Sequence, residues 1–251
     1  MPRLSMSSIR SMLLLVCASA APAQAETIQL GMSVPLTGNA SGIGQSYKNG
    51  VELAINQLNK EGGIQGTKVQ LLVKDDQYEP ELTVRNTRQF IIENNVLALF
   101  AYVGTPTSSA ILPLLQHYQI PYITPFTGAS LLRQPEFNFI YHLRAGYDEE
   151  TQSQVDYLRT KPDTKVGLLL QADEFGASVE QGYLKALQFK GITPAVTARF
   201  QRNSTEIEAG VSELIKAGVE LVFMVGTYKP LAEAINFGRS KGYQPQYATV
   251  S

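Results

Sequence analysis

The chain has 251 residues, with 21 Lys and Arg against 22 Asp and Glu and a single cysteine, Cys17. No basic stripe breaks that near-neutral balance, which argues against nucleic acid or an anionic membrane surface as a partner. No stretch approaches the roughly 20 apolar residues that a membrane-spanning helix needs.

In chain order, residues 1–25 read as an export signal. Arg3 and Arg10 form a basic start, residues 12–20 a short apolar core, and Ala23-Gln24-Ala25 a small-x-small cleavage site. "LLVC" is only a weak lipoprotein match, because Val16 stands where a small residue is expected, so simple cleavage before Glu26 is the reading. Cleavage removes two basic residues and no acid, leaving 19 basic against 22 acidic residues and no cysteine. Such a chain needs neither disulfides nor thiol chemistry, which is compatible with an oxidising compartment.

Beyond the signal, apolar β-branched runs alternate with segments of helical period. Strands are expected at 28–34, 68–73, 96–103, 121–124, 139–143, 165–170, 195–200, 221–225 and 247–250. Helices are expected at 44–60, 81–94, 106–117, 149–158, 176–190, 205–217 and 230–241, the first stopped by Gly62 and Gly63. This alternation predicts an α/β fold with doubly wound, mostly parallel sheets.

The run "LFAYVGTPTSSA" (99–110) leaves a buried-looking strand through Gly104, with Thr105 placed to cap a helix and Pro106 suited to its first position. Helix-start N–H groups among threonines and serines would suit an anion or carboxylate, and an ordinary capped helix has the same appearance. The pattern returns as "LVFMVGTYKPLAEA" (221–234). Ligands in such folds lie beyond the carboxyl ends of the strands, so two copies suggest two lobes facing each other across a cleft. The lobes are expected at 26–144 and 145–251.

Enzyme signatures are missing. In "GNASGIGQSYKNG" Tyr47 occupies the third glycine position of a dinucleotide fingerprint, and neither GxxxxGK[ST] nor GxSxG occurs. This argues against a nucleotide enzyme or an α/β hydrolase. His117 and His142, the only histidines, lack metal-ligand spacing and read as surface or packing residues. Asp75 and Asp76 read as solvated loop acids before a helix, although paired carboxylates also suit cation binding or acid–base work. What remains at strand ends is polar and aromatic: Tyr102, Thr105, Thr107, Phe126, Thr127, Phe175 and Tyr228. "PFTGAS" adds Gly128, where a ligand could approach the backbone. Hydroxyls and aromatic walls suit reversible capture of a small polar molecule and supply no nucleophile with an adjacent base. No metal or other cofactor is expected.

At these residues the chain resembles a known family. "IQLGMSVPLTGNASGIGQSYKNGVELAINQLNKEGGIQGTKVQLLVKDDQYEP" is similar to the amino-terminal lobe of type I periplasmic solute-binding proteins, the Leu/Ile/Val group that serves ABC importers. The P-L-T-G opening, the Gly50, Ala54 and Asn59 helix, G-G-I-x-G and the following D-D carry the match together. The similarity runs over essentially all of 26–251, including "ITPFTGASLLR" and "LLLQADEFGASVEQGYLKAL".

The resemblance implies an exported protein of the periplasm, with a two-lobed fold, that captures an amino acid or related carboxylate for an ABC importer permease. A ligand-sensing module of the same fold is the alternative. Thr105 would hold the ligand carboxylate, with Phe126 to Ala129, Phe175 and Tyr228 completing the site. Leucine-binding members have a second hydroxyl residue where this chain offers Gly128, with Thr127 one place earlier. Family members are also longer. The resemblance therefore implies a carboxy-terminally truncated chain with an incomplete second lobe, and a monomer when full length.

Overall fold

The computed structural model describes residues 27–158 and 163–251. The expected signal segment, Cys17 included, lies outside the described residues.

The first sheet is entirely parallel. It comprises β1 (Ile28–Val34), β2 (Val69–Asp75), β3 (Ala98–Phe100), β4 (Tyr122–Ile123) and β5 (Ile140–Tyr141), in the order β2-β1-β3-β4-β5. Around it lie α1 (Ser41–Lys60), α2 (Pro80–Arg88) with a π-helical turn at Gln89–Glu93, α3 (Thr105–Ala110) and α4 (Leu112–Tyr118). Alternation along the strands sends residues to both faces. Met32, Val34, Ala101 and Val103 meet Val51, Ile43, Tyr47 and Ile55 of α1. The opposite face buries Phe90, Leu99, Tyr102, Ile111, Leu115 and Tyr122.

The second sheet repeats the plan with β6 (Val166–Gln171), β7 (Val196–Phe200), β8 (Leu221–Val225) and β9 (Gln246–Thr249), in the parallel order β7-β6-β8-β9. Its helices are α5 (Tyr147–Tyr157), α6 (Glu174–Phe189), α7 (Glu208–Ala217) and α8 (Tyr228–Ser240). Both β6 and β8 are buried along their whole length, as strands covered on two faces must be. One face packs Leu168, Leu170, Phe223 and Val225 on Tyr183 and Leu187, and the other packs Leu169, Val222 and Met224 on Val211 and Leu214.

Two expected elements differ. The 96–103 strand is reduced to Ala98–Phe100 because Ala101 turns left-handed (φ 57°), after which Val103 makes only an isolated bridge to Phe126. The 106–117 helix is two pieces meeting at Ile111. Pro113 has no N–H for the carbonyl of residue 109, and its ring crowds that carbonyl.

In each sheet the chain moves outward from β1 to β2, or β6 to β7, and returns on the other side with β3 or β8. Such reversals leave a crevice at the carboxyl ends of the central strands. At each of those ends the helix after the first strand packs directly on backbone. A Cβ on Gly44 of α1 would collide with the Pro35 carbonyl, and one on Gly176 of α6 with the Gln171 carbonyl. Gly50, also in α1, has nothing within 4 Å of such a Cβ. Gly44→Ala and Gly176→Ala are therefore expected to lose about 1–3 kcal/mol through overpacking. Gly50→Ala should gain about 0.5–1 kcal/mol from helix propensity. Urea midpoints at constant slope check all three.

Candidate functional site

The two reversals face each other, and one cavity lies between them. Val103, Gly104 and Thr105 after β3, with Ile43, Tyr78 and Phe126, form its first-lobe wall; Phe175, Gly226, Thr227 and Tyr228 form the second, with Arg144 and Tyr147 at the crossing between lobes. Its volume is about 50 Å³.

Of the residues expected in the site, Thr105, Phe126, Phe175 and Tyr228 line this cavity. Gly104, with φ 108°, takes the turn before α3, so Thr105 opens the helix and does not cap it. The Thr105 hydroxyl is buried and lies 2.7 Å from that of Thr127. Thr127 Oγ1 accepts the Ala129 N–H at 3.1 Å. Either hydroxyl can donate in this pair; when Thr127 donates, the Thr105 proton is left for a group in the cavity. Thr127 thus stands behind the wall and orients it. Phe175 packs on Tyr147 with ring centroids 5.6 Å apart. Tyr228 is 69% exposed and belongs to the rim.

Tyr102, Gly128 and Thr107 do not reach the cavity. Tyr102 is fully buried in the helix-covered core, its hydroxyl 3.1 Å from that of Thr87 and its ring edge-on to Tyr122. The left-handed turn at Ala101 ends the strand, and the path beyond it sends Tyr102 into the core and Val103 to the cavity. Gly128 serves the crossing. Its carbonyl accepts the Tyr147 N–H at 2.8 Å, and a Cβ there would sit 2.9 Å from that nitrogen. Thr107 turns its hydroxyl back to the Val103 and Gly104 carbonyls.

Arg144, Thr227 and Tyr78 are among the cavity residues that escaped the sequence reading. Arg144 lays its guanidinium over Phe126 and Tyr147, 4.9 and 5.7 Å from the ring centroids, with Glu150 3.3 Å away. Thr227 is 4% exposed, and its Oγ1 has no hydrogen-bond partner among the described residues. It lay in plain sight in the second Val-Gly-Thr, although only the following tyrosine was singled out. Tyr78, 3% exposed, was hidden inside "KDDQYEP".

That loop also corrects the reading of the acids. Asp76 is fully buried, accepting from Ser33 Oγ at 2.8 Å, the Tyr78 N–H at 3.0 Å and Thr83 Oγ1 at 3.2 Å. Asp75 accepts from Leu36 N at 2.8 Å, Thr37 Oγ1 at 2.5 Å and Gln77 N at 2.9 Å. Neither is a merely solvated acid, because the strand end folds the following loop around them. Burial alone would raise the Asp75 pKa, but its hydrogen bonds outweigh that and hold it below the usual range. Among the described residues no group of three His, Cys, Asp or Glu could hold a metal ion.

The rims also touch. Glu79 of the first lobe meets Arg202 at 2.8 Å and Asn203 at 2.6 Å, and Asn39 donates to the Asn203 carbonyl at 2.6 Å.

Two parallel sheets whose reversals face each other across a cavity define a two-lobed α/β fold. The chain belongs to the periplasmic binding protein family, whose profile matches residues 27–251. It is 27% identical over 200 residues to a Leu/Ile/Val-binding protein homolog of Brucella melitensis, an alignment covering 79% of this chain and 54% of that one. A possible leucine/isoleucine/valine-binding protein from Rhodopirellula baltica superposes with a TM-score of 0.86 at 31% identity, covering 92% of this chain and 64% of that one. A branched-chain amino acid transporter protein from Thermus thermophilus, solved with bound valine, shares the fold at 22% identity and a TM-score of 0.79, covering 89% and 59%. The chain thus spans less than two thirds of the length of these relatives.

Burial pushes the Asp76 pKa up from 3.8 to about 6. The folded chain therefore keeps this proton where the unfolded chain has released it, and the group's contribution to stability is fullest below pH 3.8 and falls as pH rises toward about 6. Asp76→Asn should flatten that part of the profile, removing a decline on the order of 2–3 kcal/mol. Urea unfolding of both proteins at steps across this window checks it; equal slopes would place the titration elsewhere.

Proposed function

We propose that the chain captures a small polar solute, an amino acid or related carboxylate, between its lobes outside the cytoplasmic membrane and delivers it to an ABC importer permease. One observation carries the reading: two Val-Gly-Thr turns, one from each sheet, converge on a single cavity. Each brings a buried threonine hydroxyl, the first already oriented by Thr127 and the second without a partner among the described residues. Aromatic rings enclose them. The names of the Brucella and Rhodopirellula relatives point to the same ligand class.

In this reading Thr105 donates to the ligand's carboxylate or equivalent acceptor, and Thr227 and Tyr228 bind it from the second lobe. A ligand touching both lobes binds the closed arrangement better and so shifts the population toward it. Closure presents a complex that a permease can distinguish from the open protein.

The test is calorimetric titration with aliphatic α-amino acids and the matching carboxylates. Thr105→Val keeps the shape and removes one hydrogen bond to a charged group, so affinity should fall about ten- to hundredfold. Tyr228→Ala should weaken binding less, since its ring is mostly exposed. Wild-type affinity in Thr105→Val would remove that residue from the proposal, and a panel without a single binder would overturn the ligand class.

A further inference from the structure

We propose that Tyr78 is a specificity-determining residue of this cleft, a wall whose ring favours smaller solutes over larger ones. The inference rests on the reading of the cleft as the ligand site and adds a size preference.

Three observations carry it. The first is how the ring is held. Gln77 and Tyr78 are consecutive left-handed residues, at φ 55° and 62°, a conformation that costs about 1–3 kcal/mol for each non-glycine residue unless its surroundings enforce it. Here they do: Asp75 accepts the Gln77 N–H, and buried Asp76 accepts the Tyr78 N–H. Asp76 is itself tied to β1 through Ser33 and to α2 through Thr83. The backbone that carries the ring is thereby fixed, and the ring itself lies packed beside Gly104.

The second is where the ring goes. A loop tyrosine at a strand end would ordinarily lie against the surface, yet this one is 3% exposed. It fills the space beside Gly104, where a Cβ would collide with its ring. Its hydroxyl end lies by Gln171 and Asp173, so a first-lobe residue reaches beneath the second lobe. The glycine of the first Val-Gly-Thr turn thus makes room for this ring as well as for the turn.

The third is what remains. The cavity of about 50 Å³ offers space for about four waters at roughly 10–15 Å³ each. The Tyr78 ring takes up room at its wall, so a larger side chain would compete for the volume that the ring occupies.

The test uses the full chain and its Tyr78→Ala and Tyr78→Phe variants, titrated with glycine, L-alanine, L-valine, L-leucine and L-phenylalanine. Wild type and Tyr78→Phe should favour the smallest members. Tyr78→Ala should gain at least about tenfold for leucine and phenylalanine, the scale on which a pocket wall discriminates side-chain size. Wild type binding phenylalanine as well as alanine, or Tyr78→Ala keeping the wild-type order, would overturn the size preference while leaving the amino acid reading intact. If no amino acid binds any of the three, that reading fails on its own, and a probe independent of it decides this inference. p-Cresol has the shape of the deleted side chain, so it should raise the melting temperature of Tyr78→Ala and not of wild type or Tyr78→Phe. No rise would show that the ring does not occupy the cleft.

Discussion

A buried carboxylate holds the first lobe's share of the cleft together. Asp76 sits where water cannot reach it, so every lone pair it keeps must find a protein donor or cost the desolvation of a charge. The donors it finds come from β1, from α2 and from the loop between. Asp75 does the same for the β1–α1 loop through Leu36 and Thr37. One dipeptide at the end of β2 therefore fixes three segments against each other. The left-handed backbone after it, and the ring that backbone carries, follow from satisfying those acceptors.

The second lobe meets the same geometric demand with different chemistry. The helix after its first strand, α6, also begins against strand-end backbone, and Gly176 plays there the part of Gly44. Asp173 caps that helix, accepting from Phe175 and Gly176. Burial pushes the Asp173 pKa up, while the Gln171 amide, the helix-start N–H groups and the Arg202 charge pull it back. Where the first lobe presents a threonine already paired with a second hydroxyl, the second presents Thr227 without a partner among the described residues. The cleft is thus pseudo-symmetric in backbone and asymmetric in polarity, which gives a bound molecule a defined direction.

Most of the architecture was legible in the sequence because it rests on local periodicity. β1 and β8 fall at 28–34 and 221–225 as the apolar runs predict, and the repeated Val-Gly-Thr turns do meet at one cavity. What periodicity could not show was which way a residue faces once the backbone leaves regular geometry. Ala101 turns left-handed, and only the three-dimensional path shows that Tyr102 enters the core while Val103 enters the cleft. The acids misled for a related reason. A charged pair beside a proline resembles a surface loop, and its burial depends on donors from residues as distant as Ser33 and Thr83. Tyr78 left one faint signal, an aromatic residue among loop formers at a strand end. Nothing local separates that from an ordinary exposed tyrosine.

The bonds across the rim carry a consequence for timing. Glu79 joins Arg202 and Asn203, and Asn39 joins Asn203, through protein atoms alone. In the proposed reading, breaking these contacts would widen the way in, so the encounter rate would scale with the fraction of time the rims spend apart. The same contacts would slow a bound solute's departure. Because the Glu79–Arg202 pair is partly exposed, salt weakens it. Ionic strength would then set the tempo of exchange from the rim, at a distance from the two threonine hydroxyls of the cleft.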